Sequence, residues 1–386
     1  MSPDALPTHA SVVVIGGGVM GTSTAFHLAE VGLRDIVLLD MGALGSGSTC
    51  KAAGGVRAQF SHALNIALGA RSLDAFERFG TRPGQEIDLH QVGYLWLLDN
   101  ADDVATFEAS VALQNSMGVE SRMIDVAEAK DLSPLIETEG LLAAAYSARD
   151  GHCTPESVVL GYASAARRLG TTIAAHHEVT GISVNDGVIT AVSVGAHEIA
   201  TDSVICTAGP WANQIGVMAG VDLPVTPLRR QIVFTAPMAD LPTTIPMTID
   251  YSTTMYFHRE GQGLLLGMSD PDEEPGFRLD RSDAWLPRLA EACQRRVPRV
   301  SEVGLTGGWA GLYEMTPDHN ALIGESTEVT RFLYATGFSG HGFLMGPAIG
   351  EILRDLYLGV APVIDISAFD AHRFATAQWH PEVNLV

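Results

Sequence analysis

Residues 11–40 read SVVVIGGGVMGTSTAFHLAEVGLRDIVLLD. The apolar run at 11–15 is typical of a strand buried on both faces of a parallel sheet, and residues 36–40 predict a second such strand. Between them, residues 22–31 are predicted to form a helix that ends before Gly32. The stretch therefore predicts one complete βαβ unit.

Gly16, Gly18 and Gly21 occupy the turn between the first strand and the helix, in the spacing GxGxxG. Gly16 permits the tight turn, Gly18 lets the backbone approach a pyrophosphate, and Gly21 allows close packing of helix on strand. The helix N-terminus offers N–H groups and a positive dipole to that pyrophosphate. Asp40 ends the second strand, where it would accept hydrogen bonds from ribose hydroxyls and disfavour NADP. The combination predicts a dinucleotide site and leaves NAD and FAD open.

The loop at residues 45–57 reads GSGSTCKAAGGVR. It is too long and too rich in glycine for an ordinary surface connection, so we expect it to approach a flat ring system closely. Together with the place of the glycine motif near the start of the sequence, this loop favours FAD.

Composition narrows the classes of function. Of 386 residues, 46% are hydrophobic and 18% charged, which predicts a folded chain of two or three domains. A net charge of -22, from 23 Lys and Arg against 45 Asp and Glu, disfavours binding to nucleic acid or to a membrane surface. The four cysteines form no C-x-x-C pair, so no metal site is predicted and a cytoplasmic location fits best. Neither a signal peptide nor a membrane span is predicted.

The rest of the chain alternates helical and strand-like segments. Ser61 is the predicted N-cap of a helix that ends at Phe79, and Thr154 with Pro155 begins another helix. Further predicted elements are strands at 90–98, 231–235, 255–258 and 264–267, helices at 101–117 and 343–358, and a hairpin turn at 185–187. No repeat or linker separates these elements, so we expect a second domain to be interleaved with the first.

Five stretches carry a resemblance to a known family: residues 16–21, 48–57, 206–212, 311–318 and 336–343. On these stretches the sequence resembles the FAD-dependent amine and amino-acid oxidoreductases of the D-amino acid oxidase superfamily. That family includes glycine oxidase, the sarcosine oxidases, dimethylglycine dehydrogenase and the β subunit of proline dehydrogenase. The resemblance covers nearly the whole chain, and TGFSGHGF at 336–343 is its most specific part.

The resemblance implies an α/β protein with two interleaved domains. One is a Rossmann-like FAD-binding domain assembled from discontinuous segments, which we place at residues 1–88, 145–222 and 310–386. The other is an α+β substrate domain, at residues 89–144 and 223–309, whose antiparallel sheet covers the flavin.

The glycine motif and the resemblance together assign a set of residues to FAD. They are Gly16, Gly18, Val19, Met20, Gly21, Asp40, Ser48, Thr49, Lys51, Ala53, Gly54, Gly55, Val179, Ala208, Gly209, Gly340, His341, Gly342, Phe343 and Leu344. The helix that begins near Phe343 would direct its N-terminal dipole at the N1/O2 side of the flavin and raise its reduction potential.

A single, non-covalent FAD is expected. Some relatives attach flavin through a cysteine at the position of Gly311, and others link a second flavin, FMN, through a histidine that we align with Pro155. His152 lies nearby but out of register.

The candidate catalytic residues come from three places. Arg57 follows the glycine-rich loop and could hold a substrate carboxylate bidentately, although a structural salt bridge is the alternative. His341 could polarise substrate or reduced flavin, or could only cap a helix or pack. Tyr256 and His258 are two residues apart on one strand, so both or neither should face the pocket, and Tyr251 is a further candidate.

The resemblance implies oxidation of a secondary or N-methylated amine or amino acid. A hydride would pass from the α-carbon to flavin N5, and the imine would then be hydrolysed, with O2 or an electron-accepting protein or dye as oxidant. Relatives hold the carboxylate with a basic residue where this chain has Tyr313 or Leu344, so either Arg57 does so here or the substrate is not a simple amino acid. The alternatives are a flavin subunit of a multi-chain dehydrogenase and a dinucleotide-binding protein without turnover. Homo- and hetero-oligomers both stay open.

Overall fold

The structure, a computed structural model, describes residues 6–375 and 381–384. Its strands are β1 (Val12–Ile15), β2 (Ile36–Leu39), β3 (Gly55–Val56), β4 (Tyr94–Leu98), β5 (Arg122–Ile124), β6 (Ala143–Ser147), β7 (Gly151–His152), β8 (Thr172–Ala174), β9 (Gly181–Asn185), β10 (Val188–Val194), β11 (His197–Ala200), β12 (Val204–Cys206), β13 (Thr226–Thr235), β14 (Met247–Asp250), β15 (Met255–Glu260), β16 (Gly263–Met268), β17 (Leu305–Met315), β18 (Leu322–Glu325) and β19 (Phe332–Thr336). Its α-helices are α1 (Val19–Glu30), α2 (Ala63–Glu77), α3 (Ala101–Ser116), α4 (Val126–Leu132), α5 (Pro155–Arg168), α6 (Ala212–Ala219), α7 (Leu286–Arg296) and α8 (Gly342–Leu358).

A mostly parallel sheet has the strand order β18-β19-β12-β1-β2-β8. The predicted βαβ unit is confirmed, because β1 and β2 pair in parallel with Val13 opposite Val37 and α1 connects them. Strands β1 and β2 are buried throughout, which explains why their sequences are continuous apolar runs.

Helices α1, α2, α5 and α8 share one apolar core with this sheet. Residues 19–29 of α1 are all buried, and α8 packs against it at two glycines. A Cβ on Gly346 would collide with Val19, and one on Gly350 would collide with Ser23. The other face of the sheet carries α6 and a small antiparallel sheet of β9, β10 and β11.

A second large sheet has the order β17-β13-β16-β15-β14-β4-β6-β5 and is antiparallel except where β14 pairs with β4. Helices α4 and α7 contribute to its core on one face, and α3 packs on another cluster that includes Trp96. The α/β class with both parallel and antiparallel sheets is therefore confirmed. The predicted domain boundaries at 144/145 and 309/310 fall inside β6 and β17, and the division into two domains stays a prediction.

Two predicted helix starts differ in detail. His62, not Ser61, is the N-cap of α2, because its Nδ1 accepts a hydrogen bond from Leu64 N at 3.2 Å. The Ser61 hydroxyl instead donates to a Glu382 carboxylate oxygen at 2.6 Å, a partner 321 residues away. Thr154 does precede α5, but its hydroxyl donates to Asp88 at 3.2 Å and caps no helix N–H.

Among the residues that the structure describes, none of the helices combines the length and the apolar character that crossing a bilayer requires.

Candidate functional site

A long cleft lies where β1, β2 and β12 of the parallel sheet end. Ile15, Leu39 and Thr207 at these ends line its floor, and Ile232 and Tyr256 of the antiparallel sheet line its roof. We call it the main cleft. The carboxyl ends of parallel strands are the usual location of ligand sites in such sheets.

The glycine turn shapes the floor of the main cleft as the sequence predicts. Gly16 has φ +108°, and a Cβ there would collide with the carbonyl oxygen of Thr207. Gly21 does not line the cleft, because it packs the helix onto the turn, and a Cβ there would collide with Gly16 O. The other residues assigned to FAD all line this one cleft.

Asp40 is already engaged by backbone groups. Its Oδ2 accepts a hydrogen bond from Gly17 N at 2.6 Å, and its Oδ1 accepts one from Gly42 N at 2.7 Å. Burial raises its pKa, and these two hydrogen bonds oppose that effect. Because each carboxylate oxygen has two lone pairs, ribose hydroxyls can still bind here. Asp40 thus also orders the glycine turn, a role that the sequence did not indicate.

The glycine-rich loop is held between the first helix and the antiparallel sheet. Thr49 Oγ1 accepts a hydrogen bond from Val19 N at 3.1 Å, at the start of α1. On the other side, Ser48 Oγ donates to Leu312 O at 2.5 Å, and Trp309 Nε1 donates to Lys51 O at 2.9 Å. The loop therefore crosses the main cleft in a defined conformation.

Three tyrosine rings line the main cleft, and each lies against a glycine that has no room for a side chain. The pairs are Tyr94 with Gly55, Tyr256 with Gly267 and Tyr313 with Gly340. Burial raises the pKa of all three phenols. They are neutral hydroxyls in an apolar wall.

Arg57 is buried in the wall of the main cleft. Nη1 donates to Gln59 O and Nη2 donates to Asn384 O at 2.7 Å, while the guanidinium lies 4.0 Å from the ring centroid of Phe60 and 5.2 Å from that of Trp96. It forms no salt bridge within residues 6–375 and 381–384, so the alternative of a structural ion pair is not observed. Burial lowers its pKa from the ordinary value, and the group stays protonated. Three of its five N–H donors have no partner in these contacts.

His341 occupies the N-cap position of α8, yet its side chain makes no capping hydrogen bond. The ring is 2% exposed and lies 5.4 Å from the ring of Phe60. Neither ring nitrogen has a hydrogen-bond partner among the described residues. Burial lowers its pKa to about 3, so the imidazole is neutral at physiological pH. A buried polar side chain in this state is suited to a ligand in the cleft.

His258 and Tyr251 lie outside the main cleft. His258 lines a second cavity with His90 and His152, which we call the histidine cavity. The prediction that both or neither of Tyr256 and His258 face the pocket is wrong. Residues two apart on a strand are about 7 Å apart, and Tyr256 lines the main cleft while His258 lines the histidine cavity.

Tyr251 instead packs in an aromatic cluster. Its hydroxyl donates to Val383 O at 2.9 Å, and its ring lies 5.0 Å from Phe107 and 6.0 Å from Trp96. These contacts account for its side chain without a ligand.

Three charged residues of the main cleft escaped the sequence-based prediction, and one of them is Glu178. The other two are Arg230 of β13 and Glu314 of β17. Glu314 accepts hydrogen bonds from Thr336 Oγ1 at 2.8 Å and Gly337 N at 3.0 Å, and burial raises its pKa to about 7. Glu314 lies within residues 311–318, one of the stretches that carry the family resemblance, so the sequence did offer a signal for it. No local signal distinguishes Arg230 from its neighbour Arg229.

The described part of the chain contains no group of His, Cys, Asp or Glu side chains that could hold a metal ion. Burial raises the pKa of Cys50, beside the glycine-rich loop, to about 12, which disfavours a reactive thiolate there.

The floor of the main cleft is a parallel sheet with a glycine turn after β1 and an acidic residue, Asp40, after β2. Its roof is an antiparallel sheet. Together these features define a dinucleotide-binding protein built on two sheets. Comparison with protein families specifies the class, because the model described as FAD dependent oxidoreductase matches residues 11–356. The chain belongs to that family, and its cofactor is FAD. The main cleft fits this cofactor, since its glycines leave room for a ligand close to the backbone and His341 has two ring nitrogens to offer.

Individual relatives are similar over nearly the whole chain. Rat (Rattus norvegicus) mitochondrial dimethylglycine dehydrogenase is 28% identical over 97% of this chain, and 4-methylaminobutanoate oxidase (formaldehyde-forming) of Paenarthrobacter nicotinovorans is 28% identical over 98%. These matches cover 46% and 47% of the relatives, so the chain spans about half the length of the curated relatives it matches. The crystal structure of L-proline dehydrogenase from P. horikoshii superposes with a TM-score of 0.91 at 30% identity, covering 97% of this chain and 100% of that one.

Proposed function

We propose that this protein oxidises the C–N bond of a secondary or N-methylated amine or amino acid. Although the charges of Glu382 and Asp150 act on it, Arg57, a buried guanidinium in the wall of the main cleft, has no carboxylate as an ion-pair partner in the described residues, and this observation carries the proposal. A substrate carboxylate would supply that partner. Two relatives are named for methylated amino acids, dimethylglycine and 4-methylaminobutanoate, which supports the same substrate class.

The residues assigned to FAD in the main cleft would hold the cofactor, which would supply a hydride acceptor for the carbon next to nitrogen, and water would hydrolyse the imine product. Arg57 would bind the carboxylate and so orient that carbon. The neutral rings of Tyr94, Tyr256 and Tyr313 would keep water from the reacting centre. Neutral His341 would donate one hydrogen bond and accept another.

We infer that FAD is held without a covalent link by the residues assigned to it above. A Cβ on Gly311 would lie 2.6 Å from Lys51 Cβ, so this position has little room for a cysteine. Pro155 begins α5 outside the main cleft. After acid precipitation of the purified protein, the yellow colour should therefore stay in the supernatant. Flavin retained on the precipitated chain would contradict this inference.

The test of function is an anaerobic screen of amines for bleaching of the flavin absorbance. Secondary and N-methylated amino acids should bleach it, and their primary or decarboxylated counterparts should do so more slowly. The rate at which air restores the colour then separates an oxidase from a dehydrogenase that needs another electron acceptor. If no amine bleaches the flavin, the proposal fails and a protein without turnover becomes the better interpretation.

A further inference from the structure

A second guanidinium, that of Arg230, lines the main cleft. Arg230 pairs with Gly311 across β13 and β17, and its Cζ lies 5.3 Å from the ring centroid of Tyr313. Nη1 donates to the neighbouring carbonyl of Arg229 at 3.2 Å. Nε is buried and has no hydrogen-bond partner among residues 6–375 and 381–384.

The neighbouring arginine has the opposite surroundings. Arg229 faces the other side of β13, where its Nη2 lies 2.8 Å from Glu273 and its Nη1 donates to Asp280 O at 2.7 Å. Arg230 forms no such ion pair in the described part of the chain. One of two adjacent arginines is therefore neutralised by the protein, and the other is not.

The acidic side chains of the main cleft do not neutralise Arg230. They are Asp40, Glu178 and Glu314, and none of them forms a salt bridge with it. Glu314 is committed to Thr336 and Gly337, as described above. Arg230 is half-buried in the main cleft and has no ion-pair partner among the described residues, so its unused N–H donors favour an anionic ligand group there.

Arg57 and Arg230 both act on Tyr313. Burial raises the pKa of Tyr313, and the charges of Arg230 and then Arg57 oppose that shift. The phenol therefore lies within electrostatic reach of both guanidinium groups. Because both guanidinium groups also line the main cleft, a single ligand bound beside Tyr313 could contact both of them.

We propose that the substrate carries two acidic groups, of which Arg57 binds the carboxylate beside the amine and Arg230 binds the distal one. The favoured substrate class is then an N-alkylated amino dicarboxylic acid. The inference rests on the proposed function for the identity of the amine, but the preference for two anions can be measured without turnover.

The first experiment titrates the oxidised holoenzyme with glutarate and with butyrate, which is glutarate without one of its two terminal carboxylates. Binding is followed by the change in flavin absorbance. Glutarate should bind about tenfold more tightly or better, as a charge-assisted pair in a dry site provides. Equal dissociation constants would overturn the inference.

Variants then assign the second anion to Arg230. Arg230→Gln should remove the advantage of glutarate and leave butyrate affinity within about threefold, while Arg230→Lys should retain part of the advantage. Arg259→Gln is the matched control, because Arg259 lies in the same sheet outside the main cleft and donates to Gly261 O at 3.0 Å. Equal losses for both acids, or loss of FAD, would mean that Arg230 serves the flavin or a shared clamp, and either result would overturn the inference. If Arg230→Gln does not fold, the inference is tested by Arg230→Lys and by the titration of the unchanged protein with glutarate and butyrate.

Anaerobic reduction by N-methylglutamate and N-methylglycine separates this inference from the proposed function. If N-methylglutamate reduces the flavin faster than N-methylglycine does, and this difference disappears in Arg230→Gln, both the proposed function and the substrate inference are supported. If neither compound reduces the flavin but glutarate binds preferentially, the preference for a ligand with two anionic groups stands and amine oxidation fails. If N-methylglycine reduces the flavin as fast and glutarate has no advantage, amine oxidation stands and the second anion is excluded.

Discussion

The main cleft and the histidine cavity are adjacent, and Ala53 of the glycine-rich loop lines both. In the main cleft, the buried ring of His341 has no partner on either nitrogen among the described residues. In the histidine cavity, His258 Nδ1 contacts Arg259 O at 2.8 Å and Nε2 contacts Ala53 O at 3.1 Å. Protein carbonyl groups therefore contact both ring nitrogens of His258, whereas both ring nitrogens of His341 are left for a ligand. Burial of a histidine alone does not identify a functional site, and the case for His341 rests on two unpartnered nitrogens together with its place in the main cleft.

The largest effect is expected at Arg57. Arg57→Ala removes a charge-assisted contact from a dry site and should slow flavin reduction by the amino-acid substrate by the equivalent of about 2–5 kcal/mol. Arg57→Lys keeps the positive charge but loses the bidentate geometry of the guanidinium, so it should slow flavin reduction less than Arg57→Ala does. Rapid-mixing measurement of flavin reduction tests both variants, with FAD still bound.

A decarboxylated analogue of the active amine is the control for Arg57, because its rate should not respond to either substitution. Equal losses for the acid and its analogue would show that Arg57 serves the flavin instead.

Asp40→Ala should weaken FAD binding by about 1.5–3 kcal/mol. The variant loses the proposed ribose contact as well as the acceptors of Gly17 N and Gly42 N. The dissociation constant follows from the fluorescence of released flavin. Glu198→Ala removes an exposed acid of β11 and should leave that constant unchanged. An unchanged constant for Asp40→Ala would tell against its assignment to the cofactor.

Acid should destabilise the fold through His341. Its pKa is about 3 in the folded protein and near 6.5 when solvated, so the unfolded chain takes up a proton that the folded chain does not. Stability contributed by the neutral ring is complete above pH 6.5 and is lost as pH falls towards 3. At pH 4.5 the loss is about 3 kcal/mol.

Thermal unfolding of holoenzyme at pH 7.5 and pH 4.5 tests this expectation. His341→Gln should lose less stability on acidification than the parent, by a few degrees in apparent Tm. His9→Gln replaces an exposed histidine and should follow the parent. Parallel profiles for parent and His341→Gln would refute the expectation.

The smallest effect should come from the histidine cavity. His258→Gln disturbs contacts with two backbone carbonyls and should lower the free energy of unfolding by about 1 kcal/mol. Because His258 lies outside the main cleft, flavin reduction should change by no more than about threefold. Denaturant unfolding and rapid mixing measure the two quantities. A large loss of the flavin-reduction rate in His258→Gln would show that the histidine cavity also contributes to the reaction.

Much of the cofactor site could be predicted from sequence because its signals are local. Strand, glycine turn, helix and Asp40 all lie within residues 11–40, and only a few backbone conformations join them so closely. The alternation on β15 was also predicted correctly, since side chains two apart share a face. Which cavity each faces could not be predicted from the strand itself, because His258 contacts Ala53 O, about two hundred residues earlier in the chain.

Sequence alone thus determined the βαβ unit, the FAD-lining loop and the candidacy of Arg57, since neighbours in the chain specify each of them. Tertiary structure alone distinguished Arg230 from Arg229. Alternation along a strand sends adjacent side chains to opposite faces, but it does not say which face meets Glu273 and which meets the main cleft. The same holds for Ser61, whose hydroxyl binds Glu382 and not the helix that follows it. Contacts between residues that are far apart in the sequence depend on how the whole chain packs, so no local sequence pattern predicts them.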